Sequence, residues 1–402
     1  MVIYLFSLCI VLSENLRRKM DHNSTQEDTF CTLYNTINLT DPAVAADWII
    51  NTTDKILNLY LTPFLCAIGI IGNFAFLFSI FRIRSMQTSL NMFTRNLAVA
   101  DATYLIIVIY WTVMDYTRSD VKNDSLGTAI ECGLFAVIVH TSYFASLGFI
   151  TMISIERYLA VCSPIKHVAM KSKKRTLRLT CVVWVIALII GTSYVPQFTF
   201  MELCLEWPPL EDFDSLPTKF HACLPLHMYV TVYTALITIV SFFLALIVNS
   251  TIYIRIVYTL SNRSVGSTNQ RHDMIRNQVT RTLIINGILC FICQLPYRLV
   301  TVSNLLVTIS PYTLFSEEVY YTVHNIGIVF FILNSCINPY LYVMGSRQYR
   351  NAMRDAFLAT FCRRAITEDS MTENNNAACA DKQSSTSGPS AISKSTTDSP
   401  RL

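Results

Sequence analysis

Charge is scarce in this sequence. Of 402 residues only 14% are Asp, Glu, Lys or Arg, against 52% hydrophobic, whereas a soluble domain carries about 25% charged residues. That shortage excludes an ordinary soluble chain, and a formal net charge of +4 is too small to imply a nucleic-acid partner. Period-two alternation is also missing from the apolar stretches, which excludes the strands of an outer-membrane barrel. No internal repeat is visible, against the paired repeats of a transporter. Paired catalytic aspartates are absent, and His140 and His324 lack metal-ligand spacing. Nothing therefore marks an intramembrane hydrolase, and the chain reads as a non-enzyme.

What is present is seven long apolar runs, at residues 56–81, 91–114, 129–162, 177–200, 227–260, 277–309 and 318–345. A spanning helix needs about 20 mostly apolar residues, because lipid offers no partner to backbone N–H and C=O groups. The expected fold is an all-α membrane protein, a seven-transmembrane helix bundle over 56–345. An N-terminal segment, 1–55, precedes it. A short amphipathic eighth helix, 346–362, and a disordered Ser/Thr-rich tail, 363–402, follow. Residues 2–12 read either as a signal-peptide core or as the product of an upstream start, with Met20 the true beginning.

Orientation follows from the basic loops. Arg82 and Arg84, then Lys166, Lys171, Lys173, Lys174 and Arg175, then Arg263, Arg271 and Arg276, and finally Arg347, Arg350 and Arg354 all fall on one side. The opposite loops carry Glu202, Glu206, Glu211, Asp212 and Asp214. The expectation is a multi-pass plasma-membrane protein with its N-terminus outside. Glycosylation sequons at Asn23, Asn38, Asn51 and Asn123 lie on that outer side.

The cysteines divide by compartment. Cys31, Cys132, Cys204 and Cys223 lie outside, where disulfides persist. A bridge from Cys132, at the start of run three, would pin the second outer loop over the bundle. Cys204 and Cys223 are both available to it; Cys204 is favoured, which leaves Cys31 and Cys223 as a further pair. Inside, Cys362 follows the amphipathic stretch and reads as a palmitoylation site or as a free thiol.

The motifs go further. Gly72-Asn73, Asn96-Leu97-Ala98-Val99-Ala100-Asp101, Cys132 with Glu156-Arg157-Tyr158, Trp184, Cys293-Gln294-Leu295-Pro296, and Asn338-Pro339-Tyr340-Leu341-Tyr342 occur in order. Together they resemble the rhodopsin-like G-protein-coupled receptors over about residues 56–361. The resemblance implies coupling to a heterotrimeric G protein through Glu156, Arg157 and Tyr158. Tyr253, Pro296, Asn338, Pro339 and Tyr342 would take part in activation. Glu156 would hold Arg157 at rest. A mid-membrane carboxylate marks function by default. Asp101, with Ser146, Asn334 and Ser335, stands where the family holds a sodium ion, the alternative being a hydrated polar network. Receptor kinases and arrestin would engage the phosphorylated tail. Three positions depart from the family pattern: Ala245 replaces a proline in helix five, Cys290 a phenylalanine in helix six and Gln294 the tryptophan there.

The ligand is read by elimination and by resemblance. Run seven has no lysine for a retinal Schiff base, Ile332 standing in its place, and Val139 replaces the aspartate of amine receptors. Cys204-Leu205-Glu206-Trp207-Pro208 resembles the loops of somatostatin-like receptors. Pro296-Tyr297-Arg298 with Asn304 resembles helix six of the thyrotropin-releasing-hormone receptors, within the neuropeptide branch. An extracellular peptide is therefore expected, with a small carboxylate or lipid as the alternative. Arg298, about half a turn below the outer end of helix six, would bind its acceptor end. Tyr297, His140, Tyr143, His324 and Asn304 are its expected companions. The competing reading has Arg298 reaching to water or pairing with Asp115, Glu317 or Glu318.

Overall fold

The computed structural model describes residues 36–122, 124, 128–170, 172–262, 270–310 and 313–368, with backbone alone at 85, 270–276, 317–318 and 359–368. Within these, seven helices are long and apolar enough to cross a membrane. They are α1 (Thr62–Arg82), α2 (Ser89–Arg118), α3 (Ala129–Cys162), α4 (Lys173–Thr192), α5 (Met228–Ser261), α6 (Gln270–Ile309) and α7 (Glu317–Gly345). An eighth helix, α8 (Arg347–Glu368), runs past residue 362, so the residues to Glu368 are helical where the sequence suggested a disordered tail.

Local chemistry sets the ends and the irregularities. The first spanning segment begins at Thr52 and passes through a π-helical stretch, Ile56–Leu61, before α1. Pro63 sits in the first turn of α1 and has no N–H to donate back, so the ladder changes register just ahead of it. Thr128 caps α3: its hydroxyl accepts from the Glu131 N–H at 3.3 Å and donates to the Glu131 carboxylate at 2.9 Å. Through Ala245, α5 continues as unbroken α-helix, as expected where no proline removes a backbone donor.

Polar side chains tie the helices where no solvent competes. Asn73 donates to the Ser335 carbonyl at 3.0 Å, joining α1 to α7, and Trp184 donates to Asn96 at 3.0 Å, joining α4 to α2. Tyr349 of α8 is buried between Phe76 and Tyr342 and donates to the Asn91 side chain at 2.7 Å. Large apolar side chains face outward along the spanning helices, such as Ile71 at 67% exposure and Ile247 at 63%, where lipid rather than water is the solvent.

The sequence did not foretell the cap at one end of the bundle. Strands β1 (Thr36–Asn38), β2 (Thr199–Glu206) and β3 (Lys219–Leu224) form a sheet, β1 parallel and β3 antiparallel to β2. A short helix, Pro42–Trp48, packs on it. Ile37, Leu39, Trp48, Val121, Leu203 and Phe220 make a separate apolar core. Trp48 meets Phe220 edge-on at 5.6 Å. Lys122 pairs with Asp54 at 2.8 Å and Lys55 with Asp120 at 3.3 Å, so the α2–α3 loop is fastened to the N-terminal segment.

The sheet corrects the disulfide. Cys132 is bonded to Cys223, with Cα atoms 5.7 Å apart, not to Cys204. The strand directions explain this. β2 leaves the bundle at Thr199, so Cys204 lies five residues out, about 17 Å along an extended strand. β3 returns and ends at Leu224, just before α5, which brings Cys223 back beside the first turn of α3. Cys204, opposite Thr36 and Lys219, is itself disulfide-bonded. Cys31 lies outside the described residues, and a Cys31–Cys223 pair is ruled out by the Cys132 bond.

Candidate functional site

A cavity of about 280 Å³ opens among α2, α3, α5, α6 and α7 and the turn that follows α4. It is lined by Val139, His140 and Tyr143 of α3, Tyr297, Arg298 and Asn304 of α6, and His324 of α7, so the expected companions of Arg298 converge. None of its described lining residues is Asp or Glu.

Arg298 is the centre of this arrangement. It is 2% exposed. Its guanidinium carbon lies 4.9 Å from the Tyr143 ring centre, 5.5 Å from those of Tyr297 and Phe331, and 5.8 Å from that of Phe242. Four aromatic faces can stabilise a cation but offer no acceptor in the plane of its N–H groups. Its Nε and Nη1 are buried and have no hydrogen-bond partner in the protein. The Tyr143 hydroxyl is in the same condition. Two expectations change. Arg298 lies eleven residues before the end of α6 at Ile309, about 16 Å or three turns deep rather than half a turn. At that depth it does not reach bulk water. No ion pair joins it to Asp115 among the described residues, and the side chains of Glu317 and Glu318 are outside them.

The remaining walls were legible only in part. His140 hands its Nδ1 to the Ala136 carbonyl at 2.8 Å and stacks on Tyr194 at 3.8 Å. His324 stacks on Tyr320 at 6.1 Å, and Asn304 accepts from Thr308 through its carbonyl. Sequence reasoning missed Tyr104, Tyr194, Gln197, Phe198 and the hydroxyl row Thr231, Thr234 and Thr238. The spacing of those threonines, three and then four residues, is the signal that marks one face of α5. Tyr194 donates to the Thr234 carbonyl at 2.9 Å and also meets Thr238.

Below the cavity, Asp101 is completely buried. Asn338 donates to its Oδ2 at 2.5 Å and Ser146 to its Oδ1 at 3.1 Å. Ser335 also hydrogen-bonds the carboxylate, and Asn334, buried as well, meets the Cys290 thiol. Oδ1 of Asn334 and Oδ1 of Asn338 have no donor. The carboxylate is held by the Asn338 amide and by two hydroxyls, and carboxylate and hydroxyl oxygens are ligands that suit a hard cation.

The end of the bundle away from the sheet carries the Glu156-Arg157-Tyr158 motif. Glu156 is bound to His167 of the short Pro164–Met170 helix at 3.0 Å, a partner that the sequence did not single out. Tyr158 is half-buried. Ser154 donates to the Tyr253 hydroxyl at 2.8 Å, and Asn286 donates to the Tyr342 hydroxyl at 3.2 Å. Pro296 lies inside α6 and Pro339 inside α7. Of the modification sites, Asn38 and Asn51 are exposed at the sheet end. Asn38 accepts from Thr40, two residues on, and Asn51 caps the helix at Thr52. Asn23, Asn123 and the side chain of Cys362 lie outside the described residues.

Comparison with known proteins agrees with the seven-helix fold. The family model for the seven-transmembrane receptors of the rhodopsin family matches residues 72–342. Somatostatin receptor type 5 of Bos taurus is 27% identical over 302 residues, covering 74% of each chain. The type 5 receptor of Rattus norvegicus is 25% identical over 308 residues, 74% of this chain and 76% of the relative. The type 4 receptor of Rattus norvegicus is 23% identical over 298 residues, 74% and 71%.

Proposed function

The chain belongs to the rhodopsin family of seven-transmembrane receptors, and from that premise we propose that it binds an extracellular peptide and passes the signal to a heterotrimeric G protein. Receptors, not enzymes, make up the family. The observation that carries the ligand reading is Arg298, a buried cation that lines the cavity and whose Nε and Nη1 have no acceptor in the protein. A ligand carbonyl, C-terminal amide or carboxylate supplies what is missing. The relatives bear the name of somatostatin, a peptide, which favours peptide over the small carboxylate or lipid that Arg298 would also accept.

On this reading the sheet end is extracellular and the α8 end cytoplasmic. The exposed Asn38 and Asn51 sequons and the basic loops support that orientation. Arg157 meets the G protein, and the Ser/Thr-rich tail, outside the described residues, receives kinases and arrestin. A sodium ion at Asp101, Ser146, Asn334 and Ser335 stabilises the resting state. The test is a screen of amidated peptides alongside small carboxylates and fatty acids on cells expressing the receptor, reading calcium and cyclic AMP. A peptide that activates wild type with submicromolar potency, and Arg298→Gln with at least tenfold lower potency, upholds the reading. Activation only by the acids moves it to the alternative, and activation indifferent to Arg298 removes the anchor.

A further inference from the structure

Asp115 stands near the sheet end of α2, three residues before the last residue of that helix, Arg118. It shares a face with Tyr104, the α2 residue that lines the cavity, because a step of eleven residues is about three turns of helix. Trp111 lies on that face between them, one turn below Asp115. It meets Phe135 of α3 at 3.9 Å, and Phe135 meets Phe198, a wall of the cavity, at 5.6 Å. Aromatic rings therefore lead from the cavity toward a carboxylate about 16 Å further out along α2.

That carboxylate is unpaired. Its Oδ1 is buried without a hydrogen-bond partner, although the residue as a whole is partly exposed. The charge that acts on it, Asp124, has the same sign. Asp124 is itself held by the His221 backbone N–H at 2.9 Å and by the His221 ring at 3.5 Å. The bases of the neighbouring loops are engaged elsewhere, Lys122 with Asp54, Lys55 with Asp120 and Lys219 with Glu202. Arg118 is exposed and forms no ion pair with Asp115. A sequestered carboxylate is costly unless it meets a cation or takes a proton. Arg298 is the converse case, a buried cation without an acceptor, and its charge reaches Tyr104. Two unpaired charges of opposite sign thus stand at different depths on the same side of the bundle's midplane, and they do not pair with each other.

We propose that Asp115 is a second ligand anchor, a site at the rim of the bundle for a guanidinium or ammonium group. The peptide as the source of that cation rests on the reading of the cavity given above, whereas the cation site does not. With Arg298 holding the C-terminal end at the level of Tyr104, the gap of about 16 Å matches about five residues of extended chain. The ligand that satisfies both charges carries a basic residue at about that distance from its C-terminus.

The full-length receptor in lipid nanodiscs is titrated with N-acetyl-argininamide and with N-acetyl-citrullinamide, in which a neutral urea of the same shape replaces the guanidinium, and the thermal midpoint is followed. The arginine probe is expected to half-saturate at a concentration about tenfold lower than the citrulline probe. Asp115→Asn should remove this preference and Asp115→Glu should keep most of it. Asp115→Ser takes the place of the asparagine variant if that one does not reach the surface. Arg298→Gln should leave the preference intact, so failure of the deeper anchor is read separately. Equal half-saturation in the wild type means that Asp115 keeps a proton instead, and it overturns the site. A preference that survives Asp115→Asn puts the cation elsewhere and overturns it as well. In cells, libraries of amidated decapeptides, randomised but for one fixed arginine, should activate best with the arginine about five residues from the C-terminus. Asp115→Lys should move that preference to a fixed glutamate. An arginine optimum unchanged in Asp115→Lys overturns the anchor, and libraries without any activator remove the peptide reading while the first measurement still decides the cation site.

Discussion

A guanidinium surrounded by four aromatic rings is held in place but not satisfied, and this makes Arg298 the residue whose variants report most directly on the ligand. A charge-assisted hydrogen bond contributes about 1.5–3 kcal/mol, roughly tenfold to a hundredfold in affinity. Arg298→Gln should lose that much potency while surface expression stays near wild type. Arg298→Lys keeps the charge and the ring contacts but not the planar fork, so it should recover only part. Crossing either variant with a ligand shortened at its C-terminus decides the contact, because losses that add fully mean that Arg298 serves the bundle. Asp101 makes a second residue-scale prediction. If a sodium ion at the carboxylate favours the resting state, sodium lowers agonist affinity by linkage. Agonist binding in sodium is to be compared with binding in a large organic cation at equal ionic strength. Asp101→Asn should abolish the difference, and a difference that persists in the variant counts against the ion.

At the scale of elements, one hydroxyl supplies a polar tie between α8 and the bundle. Burial pushes the Tyr349 hydroxyl up to about 12, so at any physiological pH it is a neutral donor to Asn91. Because the pKa is raised above the unfolded value of about 10, the stabilisation is complete below that pH and is lost between about 10 and 12. Tyr349→Phe keeps the ring between Phe76 and Tyr342 but leaves the Asn91 Oδ1 stranded, at a cost of about 1–3 kcal/mol. Thermal unfolding should shift down by a few degrees, and an unchanged midpoint would show that water replaces the hydroxyl. At the α3 end nearest α8, Arg157→Ala should abolish nucleotide exchange on the G protein while ligand binding stays intact. Full signalling from a surface-expressed variant would be the contrary result. The spanning helices were legible because each is a run of apolar residues long enough for a bilayer, and motifs such as Asn338-Pro339 sit at fixed steps along them. The hydroxyl row Thr231, Thr234 and Thr238 was less so, because a threonine in an apolar run bonds its own helix as readily as a ligand. Thr234 and Thr238 both donate to a carbonyl four residues back.

On the scale of the whole molecule, the cap makes the N-terminal segment part of the folded end of the bundle that carries the sheet. Its core is small, and Trp48 is its largest side chain. Trp48→Ala removes the edge contact with Phe220, a change that costs about 3–5 kcal/mol when fully buried. Hydrogen exchange should quicken in β2 and β3 and stay slow around Asp101. Uniform protection in the variant would mean that the sheet holds without the helix. Peptide mapping under non-reducing conditions should recover Cys132 linked to Cys223, and recovery with Cys204 would contradict the strand directions described above.

Composition and order alone determined the class of this protein. Seven apolar runs, basic loops on one side and a set of motifs at fixed spacings follow from what a bilayer demands of a chain, and a bilayer acts on local sequence. The ring cage around Arg298, the partner of Cys132, the binding of Glu156 by His167 and the sheet built from residues more than 160 apart, Thr36 beside Cys204, were decided by tertiary structure. Those pairings depend on which strand end turns back toward the bundle and on how far each helix extends beyond the membrane. The sheet and the disulfide emerge only when distant segments pack, and no short window of sequence contains both sides of those contacts.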